Sequence, residues 1–382
     1  MKENSLLIIG LFLFHTGLQA QIYDTLPVIV HIIHNGETVG NGTNLSQVQV
    51  NSQFDALNED YRILNADLAN TPAIFAPFIG DMGLNFAKAT IDPFGNPLVE
   101  PGIDRVDRNT LGLTAPPYAV TYINNSVKPQ TIWDPYQYLN IWVVNMSNGM
   151  LGFSTFPANS GLGCLPPVQA DSLRDGIVIH YCAFGRTGNV CPPYHKGRST
   201  TYEVAQWLGL RRLAQTSCGD DCVSDTPLGD YTYGACPSFP LVSVPCNNAP
   251  NGDMFMNFMS YLDDSCKFMF TQGQKGRIDT CLTNGTFQSA LRLSTAAQPL
   301  SVNDLTDHGL VIYPNPNNGK FTVEGKGELT IYNALGEKII FQTLLNKNTE
   351  IDLGDIPKGL YQFRLLSESG KMRGGKFIIS GV

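Results

Sequence analysis

Residues 201–212 read TYEVAQWLGLRR. Val204, Trp207, Leu208 and Leu210 recur at roughly helical spacing, and Gly209 breaks the run. The spacing predicts a helix with one carboxylate, Glu203, and an arginine, Arg212, just past the glycine. Strand-like runs precede it: 138–146 (YLNIWVVNM), 150–157 (MLGFSTFP) and 176–181 (GIVIHY), rich in aromatic and β-branched residues. A loop carrying most of the cysteines follows it, then 257–266 (NFMSYLDDSC) and a second helix from about Thr271.

Towards the start, 26–33 (LPVIVHII) is a dense β-branched run and reads as a buried strand. His31 and His34 lie on it or just past it. Neither has a partner at i+4, so a structural role is expected of both. Residues 46–62 (SQVQVNSQFDALNEDYR) read as a helix with Val50, Phe54, Leu57 and Tyr61 on one face. Ser46 and Gln49 suit a capping box at its start. Residues 84–90 (LNFAKAT) alternate like a strand. The whole suggests an α+β unit over 21–295 with a mixed, twisted sheet.

Residues 296–308 (AAQPLSVNDLTDH) lack apolar periodicity and read as a linker. Beyond them the pattern shifts to short strands: 310–313, 320–323, 328–332, 338–343, 349–353, 359–365 and 374–379. Turn signals such as Asn318-Gly319 and Ser369-Gly370 separate them, which predicts an all-β sandwich over 309–382. At the other end, residues 1–20 (MKENSLLIIGLFLFHTGLQA) have a basic start, an apolar core and a small-residue exit. They read as a signal peptide cleaved after Ala20; the rival reading, a membrane anchor, needs a longer apolar run.

Charged residues make up 15% of the 382, and apolar residues 43%, so a sizeable core is available. The net charge of −8 argues against nucleic acid as a main partner. Export gives the nine cysteines a meaning: disulfides, with at least one thiol left over. The alternative is a zinc site built from Cys218, Cys222, Cys236 and Cys246.

Several stretches together resemble the pappalysin-like, or cytophagalysin, branch of the metzincin zinc proteases. They include LPVIVHIIHNG at 26–36, LNIWVVNMSNGMLGFSTFP at 139–157, DGIVIHYCAFG at 175–185, GRSTTYEVAQWLGL at 197–210, GDDCVSDTP at 219–227 and NFMSYLDDSCKFMFTQGQ at 257–274. The likeness covers roughly residues 25 to 290. It implies a metzincin-like metalloprotease fold and cleavage of polypeptides by a zinc-bound water that the Glu activates. It also implies that Met259 is the Met-turn residue beneath the metal, and that Tyr261 is a tyrosine able to swing toward the oxyanion. The family pattern pairs Cys218 with Cys246 and Cys236 with Cys266, and gives a weaker calcium site at Asp220, Asp225 and Thr226.

The departure lies in the zinc motif, H-E-x-x-H-x-x-G-x-x-H. Glu203 and Gly209 keep their places, while Tyr202, Gln206 and Arg212 stand where the three histidines belong. Zinc wants neutral imidazoles there. A phenol is a poor ligand while protonated, an amide oxygen suits harder cations, and a guanidinium brings permanent positive charge. No zinc is expected, and Glu203 is left without a water to activate. Arg212 is expected to fill the vacated position and pair with Glu203.

The tail resembles the sorting domain of the type IX secretion system of Bacteroidetes, carried by LVIYPNPNNGKFTVE at 310–324, LTIYNALGEKI at 329–339 and IDLGDIPKGLYQFRL at 351–365. A carbohydrate-binding sandwich is the alternative. The function expected is a secreted pseudoprotease that binds a polypeptide in its cleft. Its rivals are an active peptidase with an atypical metal site and a structural or adhesive surface protein.

Overall fold

The computed structural model describes residues 24–213, 218–230, 235–297, 311–333, 337–346, 348–354, 356–366 and 372–380. The signal-peptide reading of 1–20 lies outside them, as does the linker from 298 on. The chain divides into two compact units, Met1–Ala297 and Gln298–Val382.

The first unit is built on a six-stranded mixed sheet. Strand β1 (Asp24–His34) is central. It pairs in parallel with β2 (Leu84–Lys88) and then β3 (Ile103–Asp107) along one side, and with β4 (Leu139–Val144) along the other. Strand β6 (Ile177–His180) continues the parallel order beyond β4, and β5 (Gly152–Ser154) closes the edge antiparallel to β6. Both faces are covered, which is why β1 and β4 read as mostly apolar runs; their buried polar residues His31 and Asn140 bond each other. Val28, Val30 and Ile32 pack on one face with Val50, Phe54 and Leu57 of helix α1 (Gln47–Asp60). Ile33, Trp142 and Val178 face the other way. There they meet a helical segment running from α2 (Val120–Tyr122) through a π-turn (Ile123–Val127) into α3 (Lys128–Thr131), which contributes Ile123 and Val127. Helix α4 (Arg198–Trp207) joins the α1 face, and α5 (Gln272–Asn284) and the short α6 (Gln288–Leu291) complete the unit.

Ser46 caps α1 as expected, accepting from Gln49 N–H. The return half of the capping box is absent. The Gln49 amide instead donates to Phe184 O and accepts from Asn189 N–H, each at 2.9 Å, so it pins a loop. His31 is fully buried, bonded to Asp104 (2.8 Å) and Asn140 (2.9 Å) and stacked on Trp142, which makes it structural. The His34 ring accepts from Gly36 N–H.

The second unit holds a four-stranded antiparallel sheet, ordered β10-β9-β12-β13, and a three-stranded one, ordered β11-β8-β7. The strands are β7 (Val311–Tyr313), β8 (Lys320–Glu324), β9 (Gly327–Tyr332), β10 (Lys338–Leu344), β11 (Asn348–Asp352), β12 (Gly359–Leu366) and β13 (Met372–Ile379). Phe321, Val323, Leu329, Ile331, Phe363 and Phe377 form its core.

Four disulfides lie in the first unit: Cys164–Cys222, Cys182–Cys191, Cys218–Cys246 and Cys236–Cys266. All four sulfurs of the alternative Cys zinc site are therefore bonded to other sulfurs, and that reading is corrected. Cys281 stays a buried thiol. Among the described residues, no helix is long and apolar enough to cross a membrane.

Candidate functional site

Helix α4 carries the site, and its ends fix where the side chains point. Its start is anchored by Arg198, only 2% exposed, whose guanidinium forks onto Asp67 at 2.6 Å twice and donates to Asp264 O. Its end is anchored by Trp207, whose indole N–H donates to Asp175 at 3.0 Å. Gly209 then turns the chain at φ +89°, where an added Cβ would lie 2.4 Å from Leu162 Cδ1. Only glycine makes that turn without strain.

Beneath α4 lies a floor of side chains that hydrogen-bond one another. Met259 is fully buried, and its N–H donates to Asn257 Oδ1 at 2.9 Å. Asn257 and Gln274 exchange amide hydrogen bonds in both directions, at 2.9 and 3.0 Å. Gln274 and Thr271 form the capping box of α5. The Asp225 carboxylate accepts from the Thr271 hydroxyl and from Gly273 N–H, both at 2.7 Å. The residues of the calcium reading are thus placed in separate local roles. Asp225 caps α5, Thr226 donates to Asp221 at 2.7 Å, and Asp220 accepts from Cys222 N–H. Among the described residues, no group of three or more His, Cys, Asp or Glu is arranged to hold a metal ion.

Above the floor is a pocket of about 70 Å³ lined by Leu151, Gly152, Tyr202, Glu203, Tyr261 and Lys267 among others. Glu203 is buried, and its Oε2 has no hydrogen-bond partner. Burial pushes its carboxyl up to about 7; the Ser154 hydroxyl and the Lys267 and Lys128 ammonium groups only partly offset that. Glycine at 152 lets Glu203 lie close to the sheet edge, since a Cβ there would meet Val178 O at 2.8 Å and Glu203 Cγ at 3.0 Å.

The chemistry of the three side chains expected at the zinc-ligand positions, Tyr202, Gln206 and Arg212, does not fit a divalent metal. Burial holds the Tyr202 phenol well above its usual range, hence protonated. The Gln206 amide donates to Tyr202 Oη at 3.0 Å, and its carbonyl oxygen accepts from Ser154 at 3.2 Å. Arg212 does not pair with Glu203, which corrects the expected ion pair. Its guanidinium lies 4.7 Å from the centre of the exposed Tyr261 ring, because the Gly209 turn leads the chain to Met259, whose O accepts from Leu213 N–H. The cations that act on Glu203 are Lys267 and Lys128. Lys267, 4% exposed, is the site residue that the sequence reading missed. Its signal was a lone lysine in the apolar run CKFMF at 266–270.

The family described as pregnancy-associated plasma protein-A matches residues 121–283, and a secretion system C-terminal sorting domain matches 311–380. An extracellular metalloprotease of Colletotrichum graminicola is 26% identical over 264 residues, 69% of this chain and 77% of the relative. Another from Podospora anserina is 26% identical over 68% of this chain and 74% of its own length. Among solved structures, mature mirolysin of Tannerella forsythia, in complex with a cleaved peptide, is 36% identical. It covers 72% of this chain and 99% of its own, with a TM-score of 0.63. The tail assigns the chain to the cell surface or the space outside it.

Proposed function

The chain belongs to the pappalysin family of metallopeptidases, and from that premise we propose that it is a secreted pseudoprotease, which holds a polypeptide in the family's cleft without hydrolysing it. One observation carries this reading. The donors that stand in for the zinc ligands are bonded to neighbours: Gln206 to Tyr202 and Ser154, and Arg212 stacked on Tyr261. Without a metal, no water reaches a pKa near 7 at this place. The cleft itself is kept. Mirolysin, alike over nearly its whole length, was captured with a cleaved peptide. Here β5 offers an edge of the sheet beside the pocket, on which an extended chain can add as a strand.

Metal analysis of the purified protein and a casein assay test the reading. The native chain is expected to hold no stoichiometric zinc and to leave casein intact. A variant with Tyr202→His, Gln206→His and Arg212→His is expected to take up zinc, because Glu203, Gly209 and Met259 remain in place. Tightly held stoichiometric zinc in the native protein would overturn the reading.

A second reading, an active peptidase with an atypical metal, draws on Glu203, which stands in the pocket with a carboxyl held near 7, where a general base operates. Casein cleavage abolished both by a chelator and by Glu203→Gln would establish it.

A further inference from the structure

The pocket holds polar atoms that the fold leaves unmatched. Glu203 Oε2 has no partner. Lys267 Nζ has Asp264 Oδ1 as its nearest carboxylate oxygen, at 3.9 Å, beyond hydrogen-bond reach. The other Asp264 oxygen is already taken by the N–H groups of Lys196 and Arg198. Glu203 and Lys267 line the same pocket without pairing with each other; the ion partner of Lys267 is Asp264. At about 70 Å³ the pocket takes a few waters or one small polar group. Buried donors and acceptors left open in this way favour any ligand that closes them.

Resting on the peptide-binding reading above, we propose that this pocket selects a neutral carboxamide, the side chain of a glutamine or asparagine in the bound polypeptide. The carboxamide oxygen accepts from Lys267 Nζ, and its NH₂ donates to Glu203 Oε2. Other groups serve only one side. A ligand carboxylate suits Lys267 but sets its charge against Glu203. An ammonium suits Glu203 but adds a cation beside Lys267. An apolar side chain leaves both unpaired. A carboxamide carries donor and acceptor on one planar group. Tyr194, Tyr202 and Tyr261, also in the lining, have hydroxyls that adapt to either role.

The test uses the full chain and five pools of fluorescent nonapeptides, random except for a central Gln, Asn, Glu, Lys or Leu, read by polarisation. The Gln and Asn pools are expected to bind at least about tenfold more tightly than the other three, since sites built to hydrogen-bond a group reject analogues lacking it strongly. Lys267→Met is expected to move the preference to the Lys pool, because Glu203 then faces the ligand alone. Glu203→Met is expected to move it to the Glu pool. The two variants are independent, so one that fails to fold leaves the other to decide. A native preference for Leu, Glu or Lys, or a Gln preference kept in a folded variant, would overturn the selectivity while leaving peptide binding standing. No binding by any pool would remove the peptide-binding reading and this selectivity with it.

Discussion

The floor of the cleft and the pocket above it are built to opposite standards. In the floor, Asn257, Gln274, Thr271 and Asp225 satisfy one another, and Met259 sits fully buried among them. In the pocket, Glu203 Oε2 has no partner, and Lys267 Nζ reaches its ion partner Asp264 only at 3.9 Å, too far for a hydrogen bond. The side chains that hold the floor together are different from those that line the pocket, so the shape of the site and its chemistry rest on separate residues.

If the floor is structural and the pocket is a site of open polar groups, substitutions should separate them. Asn257→Leu should have the largest effect, destabilising the first unit by about 4 kcal/mol. It strands the Gln274 amide and Met259 N–H in a dry interior. Denaturant unfolding measures this, and a loss below about 1 kcal/mol would contradict the description of the floor.

Glu203→Gln should act in the opposite direction and only at higher pH. The folded carboxyl titrates near 7 instead of 4.5, so it keeps a proton that the unfolded chain has lost. The native chain therefore loses stability as pH rises from about 4.5 to about 7, and the full cost remains above that. The variant avoids it. Relative to the native chain it should gain about 3 kcal/mol at pH 8 and close to nothing at pH 4. Equal differences at the two pH values would show that Glu203 is solvated.

The smallest effect belongs to the rim. Arg212→Ala should cost no more than about 1 kcal/mol, since its stacking on an exposed Tyr261 is a surface cation–π contact. A loss of about 3 kcal/mol or more would instead fit the rejected ion pair with Glu203, because breaking a buried pair strands a charge.

The seven strands of the second unit are legible to within two residues or so, because turn residues separate short runs rich in β-branched and aromatic residues. Strand β12 also alternates exposed and buried positions from Leu360 to Leu366. In the first unit β1, β4 and β6 are equally plain as dense, mostly apolar β-branched runs. The segment from Val120 to Thr131 is not: Asn124, Asn125 and Pro129 blur its period, and its apolar face is set by a π-turn. Strand β3 escapes notice because three of the five residues in IDRVD are charged. At the site, Glu203 and the three residues set against the zinc-ligand positions are expected from motif spacing and Tyr261 from the family likeness, and both record only order along the chain. The partners of Arg212 and Lys267 depend on where the Gly209 turn and the segment before α5 deliver them, and spacing does not encode that.

One thiol carries a consequence for how the chain matures. Cys281 lies on α5, with no exposed surface, beside eight cysteines that end up in four bonds. Its shelter is the packing of α5 against the sheet unit, not any partner of its own. Until that helix docks, nine sulfurs compete for four bridges, and afterwards only eight remain in play. Correct pairing is thus favoured when collapse around α5 runs ahead of oxidation; a chain oxidised first, with Cys281 still exposed, has to reshuffle any wrong bridge by thiol–disulfide exchange before the helix can dock.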